Sequence, residues 1–161
     1  MLAPLATCLT GRQVVPTYPL PVSYRQHGSG IGPHTDQPEN EISLSYQLSL
    51  SPASAQWPLH LADAEPNPIP PGEPSLEVTW VRPKDMAANI SVHLQDNDGV
   101  IYHGRDLVHW REPRPEGTDG VQQLIFSWRS VQRQTCAGPV ALKLGRRREP
   151  FARKVRLRDP A

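Results

Sequence analysis

The most regular pattern in the chain runs through residues 41–50, where Ile42, Leu44, Tyr46, Leu48 and Leu50 alternate with Ser43, Ser45, Gln47 and Ser49. Successive side chains of an extended strand point to opposite faces, so this period of two predicts a β-strand with one buried apolar face and one polar face. Shorter runs of the same kind occupy 20–25, 59–62, 76–81, 90–94, 99–102, 107–110 and 122–128, each bounded by Pro, Gly, Asn or Asp. The 19 prolines and 11 glycines punctuate nearly every stretch and leave little room for long helices. Many short strands at this spacing predict a mainly β chain, built as an antiparallel sandwich or jelly roll. Residues 63–75, DAEPNPIPPGEPS, read as a stiff loop, because proline cannot donate to a ladder. No internal repeat is present.

Composition changes this picture only at the C-terminus. A chain of 161 residues is long enough for one domain with a real core and one site. The formal net charge is +1, yet residues 143–158 hold eight Lys and Arg against Glu149 alone, leaving 9 basic and 14 acidic residues in positions 1–142. The body therefore gives no electrostatic sign of a nucleic-acid surface, and only the basic tail could contact one. The expected division is a β domain over residues 1–137 and a tail over 138–161, mobile and in part helical. Cys8 and Cys136 stand alone without CxxC spacing, against a zinc ribbon or a disulfide scaffold and in favour of a reducing, cytoplasmic setting. MLAPLATCLT lacks a basic leader, and no later stretch reaches a membrane-spanning length.

The candidate chemistry begins at His34-Thr35-Asp36, which sits just before the alternating strand. Two ligands one residue apart need a third from far along the chain, and the other histidines are His27, His60, His93, His103 and His109. His109 is the strongest, because it ends a short apolar run and is followed by Trp110 and Arg111, whereas His103 precedes Gly104 in a turn. Two imidazoles and one carboxylate on one side of an ion leave its other positions open, the arrangement that non-haem Fe(II) oxygenases use. The tripeptide alone, which recurs by chance in many chains, fits a solvated turn better than a metal site.

Two longer segments are more specific. HTD-x-P-x-x-E-I-S from His34 to Ser43 and Y-x-G-x-x-L-x-H-W-R-E from Tyr102 to Glu112, in that order, resemble the Fe(II)- and 2-oxoglutarate-dependent oxygenases, in particular the prolyl-4-hydroxylase-like branch. The resemblance spans about residues 9–129. It implies a double-stranded β-helix of jelly-roll, cupin-like form, with His34 and Asp36 at the end of one strand and His109 on a strand of the facing sheet as iron ligands. It also implies 2-oxoglutarate and O₂ as co-substrates and hydroxylation of an unactivated C–H bond, in a protein side chain or an amino-acid-like small molecule.

The chain departs from that family in two places. A Lys or Arg on the strand after the distal histidine ordinarily binds the far carboxylate of 2-oxoglutarate, and alignment puts the neutral Gln122 there. Arg111 is the expected substitute, since two residues beyond His109 it shares a strand face, with Tyr24 and Arg25 as rivals and Arg129 too far out. Glu41 and Trp110 are the candidate substrate contacts, although a cross-strand ion pair for Glu41 and a core or pocket-wall role for the tryptophans suit them as well. The second departure is length, for only about ten residues precede the resemblance where the family usually places bracing helices, so a minimal barrel or a truncated start is expected. These departures support an alternative, a metal-binding jelly-roll module without catalysis. A sandwich without metal would require the three ligands to be scattered in space.

Overall fold

The computed structural model describes residues 2–26, 28–62, 79–80, 90–118, 120–132 and 152–156. In chain order these form α1 (Leu2–Thr10), β1 (Gln13–Tyr24), β2 (Ile31–Thr35), β3 (Ile42–Ser51), β4 (Leu59–Ala62), β5 (Thr79–Trp80), β6 (Ile90–Val92), β7 (Asp98–Tyr102), β8 (Val108–Arg111), β9 (Gly120–Gln132) and β10 (Ala152–Arg156). The strands make two five-stranded antiparallel sheets, ordered β1-β9-β3-β7-β10 and β5-β2-β8-β4-β6. Consecutive strands alternate between the sheets from β1 to β4 and again from β6 to β9. The mainly β expectation therefore holds, and 59–62 is a strand with the expected limits. The proline-rich 63–75 and His27 lie outside the described residues, as does all of 76–81 except Thr79 and Trp80.

Prolines shape the first sheet's edge. β1 contains Pro16, Pro19 and Pro21, and among the described residues it pairs with β9 alone, with a register shift between Pro16 and Pro19. An edge strand needs only half of its donors, which is why it tolerates them. Before β1 the chain forms the nine-residue α1, with Pro4 confined to the first turn, where a missing N–H costs little. Gly11, at φ 66°, ends the helix in the left-handed conformation, and its N–H donates to the Thr7 carbonyl.

Leu2, Ala3, Ala6 and Leu9 of this helix pack on Val14, Ile42, Leu44, Ile101 and Trp128. The apolar face of β3 thus lies under α1 on the outside of its sheet. Each fully buried aliphatic side chain there contributes about 1.5–3 kcal/mol.

The other face of β3 overturns an expectation. Ser43, Ser45 and Gln47, which the alternation assigns to the polar face of a half-buried strand, are 0%, 3% and 1% exposed and turn toward the second sheet. Both faces of β3 are covered, so alternation identifies two faces without saying which is inside. A bulge then breaks the alternation, because β3 pairs in step with β9 up to Gln47↔Gln123 and shifts to Ser49↔Gln122 beyond it. Leu48 is left 39% exposed, and Leu50 crosses to the inside, where it joins Trp57 and Val121.

The tail also differs from its expected form at 152–156, which form neither helix nor mobile coil but β10, paired with β7. Val155 and Ala152 pack against the two main clusters, and Lys154 Nζ lies 2.6 Å from the buried Asp98 carboxylate. The open edge of β7 and these two apolar contacts outweigh the local excess of positive charge.

The inverted faces of β3 give an experimental contrast. Ile42→Ala should lower the unfolding free energy by about 2–5 kcal/mol through the cavity it leaves. Leu48→Ala, in the same sequence alternation, should change it by no more than about 0.5 kcal/mol. Urea denaturation of the two variants measures both.

Candidate metal centre

β2 and β8 are neighbours in the second sheet, and their register sets His34 directly opposite His109. Directly opposed residues of an antiparallel pair point to the same face, and here the two imidazole centroids are 4.2 Å apart. His109 is therefore not on a facing sheet, as the family resemblance implied. Facing sheets stand about 10 Å apart, whereas one sheet brings adjacent side chains within reach of one ion.

Asp36 lies one residue past β2. Its backbone N–H donates to the Gly104 carbonyl at 2.8 Å, which ties it to the turn between β7 and β8. Ligand atoms of His34, Asp36 and His109 all fall within 4.8 Å of one another, the one such cluster of His, Cys, Asp or Glu among the described residues. Asp36 Oδ1 is 3.6 Å from His109 Nε2. With bonds of about 2.0–2.2 Å, a single ion can draw in all three.

The histidines are prepared in the same way. Nδ1 of His34 is 2.8 Å from the Gly32 carbonyl, and Nδ1 of His109 is 3.0 Å from the Leu107 carbonyl, each two residues back. A carbonyl only accepts, so Nδ1 carries the proton and Nε2 keeps its lone pair for a ligand role. Burial, reinforced by the neighbouring His109, pushes the His34 pKa down to about 4, so the ring is neutral at physiological pH. For Asp36 burial acts upward, but His109 and the Ser43 hydroxyl outweigh it and hold the carboxyl below its ordinary range. The set presents two imidazole Nε2 atoms and one carboxylate, ligand types suited to a divalent transition metal.

Arg111 follows His109 by two residues on β8 and is 3% exposed. Its Nη1 donates to the Trp57 carbonyl, its guanidinium carbon lies 4.8 Å from the Trp57 ring centroid, and its Nη2 is buried with no hydrogen-bond partner among the described residues. Burial lowers its pKa to about 10, against the attraction of Tyr24 and Tyr102, and leaves it charged at neutral pH. Trp57 is itself fixed, donating from Nε1 to the Glu112 carbonyl at 2.8 Å and meeting Tyr24 edge to face at 4.8 Å. Tyr24 and Arg111 are thereby brought to one wall of the interior.

The remaining candidates lie elsewhere. Gln122 is exposed and shares a surface cleft of about 370 Å³ with Ser23, Arg25, Ser49, Ser51, Gly120 and Val121. The β3 bulge aligns Gln122 with Ser49 on the outer face, and the inward position belongs to Gln123, which donates to Gln47 at 2.7 Å. Arg25 is exposed, with Nε on Ser23 Oγ at 3.2 Å. Glu41 accepts from Ser130 N–H and Oγ and pairs with Arg12 at 3.8 Å, which is the structural alternative for that residue. Trp110 stacks on His60 and donates to Glu112 Oε1 at 2.9 Å, on the opposite side of β8 from His109 and Arg111.

Sequence reasoning passes over the residues that line the interior beside the ligands. Ser43 donates to Asp36 Oδ2 at 2.5 Å, the Tyr102 ring meets His109 at 4.8 Å, and Ser45, Gln47, Gln123 and Ser127 complete a polar wall. Gly104 is required where it stands, since a Cβ there would fall 2.0 Å from Asp36 Oδ2. Ser43, Tyr102 and Gly104 all belong to the two segments that carry the family resemblance, and that membership is the signal by which they could be found.

The cluster predicts selective loss of metal. Titration with Co(II), followed by visible absorption, should show one site in the native chain and none at comparable concentration in His109→Ala or Asp36→Ala. His60→Ala and His103→Ala, outside the cluster, should bind like the native chain. No family model, curated protein or solved structure matches this chain, so the chemistry of the centre rests on its own geometry.

Proposed function

We propose that the chain is an Fe(II)- and 2-oxoglutarate-dependent dioxygenase that hydroxylates an unactivated C–H bond. The observation that carries this reading is the pairing of the His34-Asp36-His109 cluster with Arg111 on the same face of β8, buried and with an Nη2 that has no hydrogen-bond partner among the described residues. A buried cation without a counter-charge is costly, and an anionic ligand removes the cost. The Cα positions of His109 and Arg111 are about 6.6 Å apart along the strand. That spacing suits a short dicarboxylate that is chelated at one end and clamped at the other.

Further support comes from the strand order. The alternation of β1, β3, β7 and β9 with β2, β4, β6 and β8 between two sheets is the winding expected of a double-stranded β-helix, with β5 and β10 added at edges. α1, packed on the outer face of the first sheet, does the bracing that longer helices do in the family.

Iron held by His34, Asp36 and His109 would supply the redox centre for coupling the decarboxylation of 2-oxoglutarate to succinate and CO₂ with hydroxylation of the substrate, one atom of O₂ going to each product. The protein's own residues do the rest. His34 and His109 present Nε2, Asp36 offsets one charge of the ion, and Arg111 holds the far carboxylate while Tyr24 and Trp57 wall off water. The substrate on this reading is a protein side chain or an amino-acid-like molecule. The neutral Gln122 is one of the two departures behind the alternative of an inactive metal-binding module. With Gln122 on the outer surface and Arg111 inside, that feature does not favour it.

Anaerobic addition of 2-oxoglutarate to the Fe(II)-loaded chain should produce the weak visible charge-transfer band of the chelate. Arg111→Met should weaken 2-oxoglutarate binding by about 1.5–3 kcal/mol while leaving Fe(II) bound. Iron binding with no band in the native chain would refute the dioxygenase reading and leave the binding module.

A further inference from the structure

Asp36 has two carboxylate oxygens, and the fold treats them differently. Oδ1 faces His109 Nε2 at 3.6 Å. Oδ2 accepts the Ser43 hydroxyl at 2.5 Å and lies against Gly104, where even a methyl group would be 2.0 Å from Oδ2 and 2.6 Å from Ser43 Oγ. That oxygen is seated in a recess formed by β3 of one sheet and the β7–β8 turn. Ser43 is 0% exposed, and Ser127, its register partner on β9, places Oγ 3.4 Å from Ser43 Oγ. Ser43 has one hydroxyl proton, and the short contact assigns it to the carboxylate. Ser127 can then donate to the Ser43 oxygen, so the two hydroxyls form a chain that ends on Oδ2.

We propose that Ser43 is a positioning residue that restricts Asp36 to one metal-ligating oxygen and thereby keeps an extra coordination position open for exogenous ligands. The proposal rests on the reading of His34, Asp36 and His109 as ligands of a divalent ion. A carboxylate ligates through one oxygen or through both. On a six-coordinate ion, two histidines and a bidentate aspartate leave two positions, whereas a monodentate aspartate leaves three. Three are needed for a bidentate organic ligand together with a diatomic gas. A charge-assisted hydrogen bond to Oδ2 opposes its turning toward the metal, and the recess at Gly104 supplies the room in which it stays.

This assigns a role to a residue that sequence patterning places on a solvent face. It also accounts for a serine at this buried position of β3, between Ile42 and Leu44, whose side chains pack on the other side.

The test uses the full chain with Co(II) as the probe and 2-oxoglutarate as the bidentate ligand, under anaerobic conditions. Ser43→Ala removes one oxygen atom and adds no bulk. It should lower Co(II) affinity about ten- to a hundred-fold, as loss of a partner to a metal ligand does. At saturating Co(II) its visible spectrum should differ from that of the native chain, and the spectral response to 2-oxoglutarate should be lost or much reduced. Ser43→Thr, which keeps the hydroxyl, should restore that response. Ser127→Ala, which reaches Asp36 only through Ser43, should show the same changes at smaller amplitude and serves as the readout if Ser43→Ala does not fold. A Ser43→Ala chain with native spectrum and native ligand response would overturn the proposal, as would a folded Ser43→Thr chain that fails to recover it. If the native chain binds no Co(II), or His109→Ala binds it equally well, the metal reading itself falls and the proposal falls with it. A native site that loads Co(II) beside an unaltered Ser43→Ala overturns the Ser43 role alone.

Discussion

The register of β2 against β8 is the constraint on which the site depends. It places His34 opposite His109 on the inner face of one sheet, and it carries Asp36, one residue beyond β2, to the turn that holds its backbone. A slip by one residue would turn every side chain of β8 over, sending His109 and Arg111 out and Trp110 in. Several features oppose that slip. Trp110 is seated on His60 and bonded to Glu112, Val108 is fully buried, and β4 pairs with the far side of β8 through Leu61↔His109. The packing of the outer face of β8 thus maintains the arrangement of side chains on its inner face.

The interior of this protein is polar beside the His34-Asp36-His109 cluster and apolar elsewhere. One apolar cluster lies beneath α1 on the outside of the first sheet, another joins Leu59, Leu61, Leu94, Val100, Tyr102 and Leu107, and a third joins Leu50, Trp57 and Val121. Between them Ser43, Ser45, Gln47, Gln123 and Ser127 are buried, and the amides and hydroxyls answer one another: Gln123 to Gln47, Tyr102 to Ser45 and Ser43 to Asp36. Such a network holds its geometry well when its members are satisfied and is costly when one is not. Moving much of the apolar burial to the covered outer face allows the space between the sheets to be hydrophilic without loss of a core.

This division separates what is legible in the sequence from what is hidden. The residues of the cluster are legible, because His34, Asp36 and His109 stand in two segments whose residue types and order together are far more specific than any one of them. Strand positions are largely legible, since Pro, Gly, Asn and Asp mark their ends. The inside of β3 is not, because Ser43, Ser45 and Gln47 look like a solvent face until a second sheet is laid over them. Nor is the bulge beyond Gln47, which depends on pairing with β9 and moves Gln122 outward, so alignment by spacing mistakes a surface amide for an interior position. β2 is announced only by the family resemblance, since Gly32 and Pro33 mask its strand pattern, and β10 is hidden by its charge. In both cases a partner strand supplies what local propensity withholds.

Arg111 shows how these pieces combine. In the enzymes that the two segments resemble, the basic group that receives the far carboxylate stands on a different strand from the distal histidine, so metal and anion site are related through the packing of two strands. Here His109 and Arg111 lie on the same strand, β8, separated by one residue, and their spacing is set by the rise of that strand, about 3.3 Å per residue. On the proposed reading, the length of the dicarboxylate is then selected by covalent geometry more than by packing. The same arrangement links ligand to stability. Arg111 Nη2 is buried without a partner among the described residues, and its guanidinium is held by one carbonyl and one indole face, so on the proposed reading an anion that completes its hydrogen bonds also removes a desolvation cost from the folded state. A ligand that binds the folded chain and not the unfolded one adds its binding free energy to stability, and here the added term would include the cost removed at Arg111.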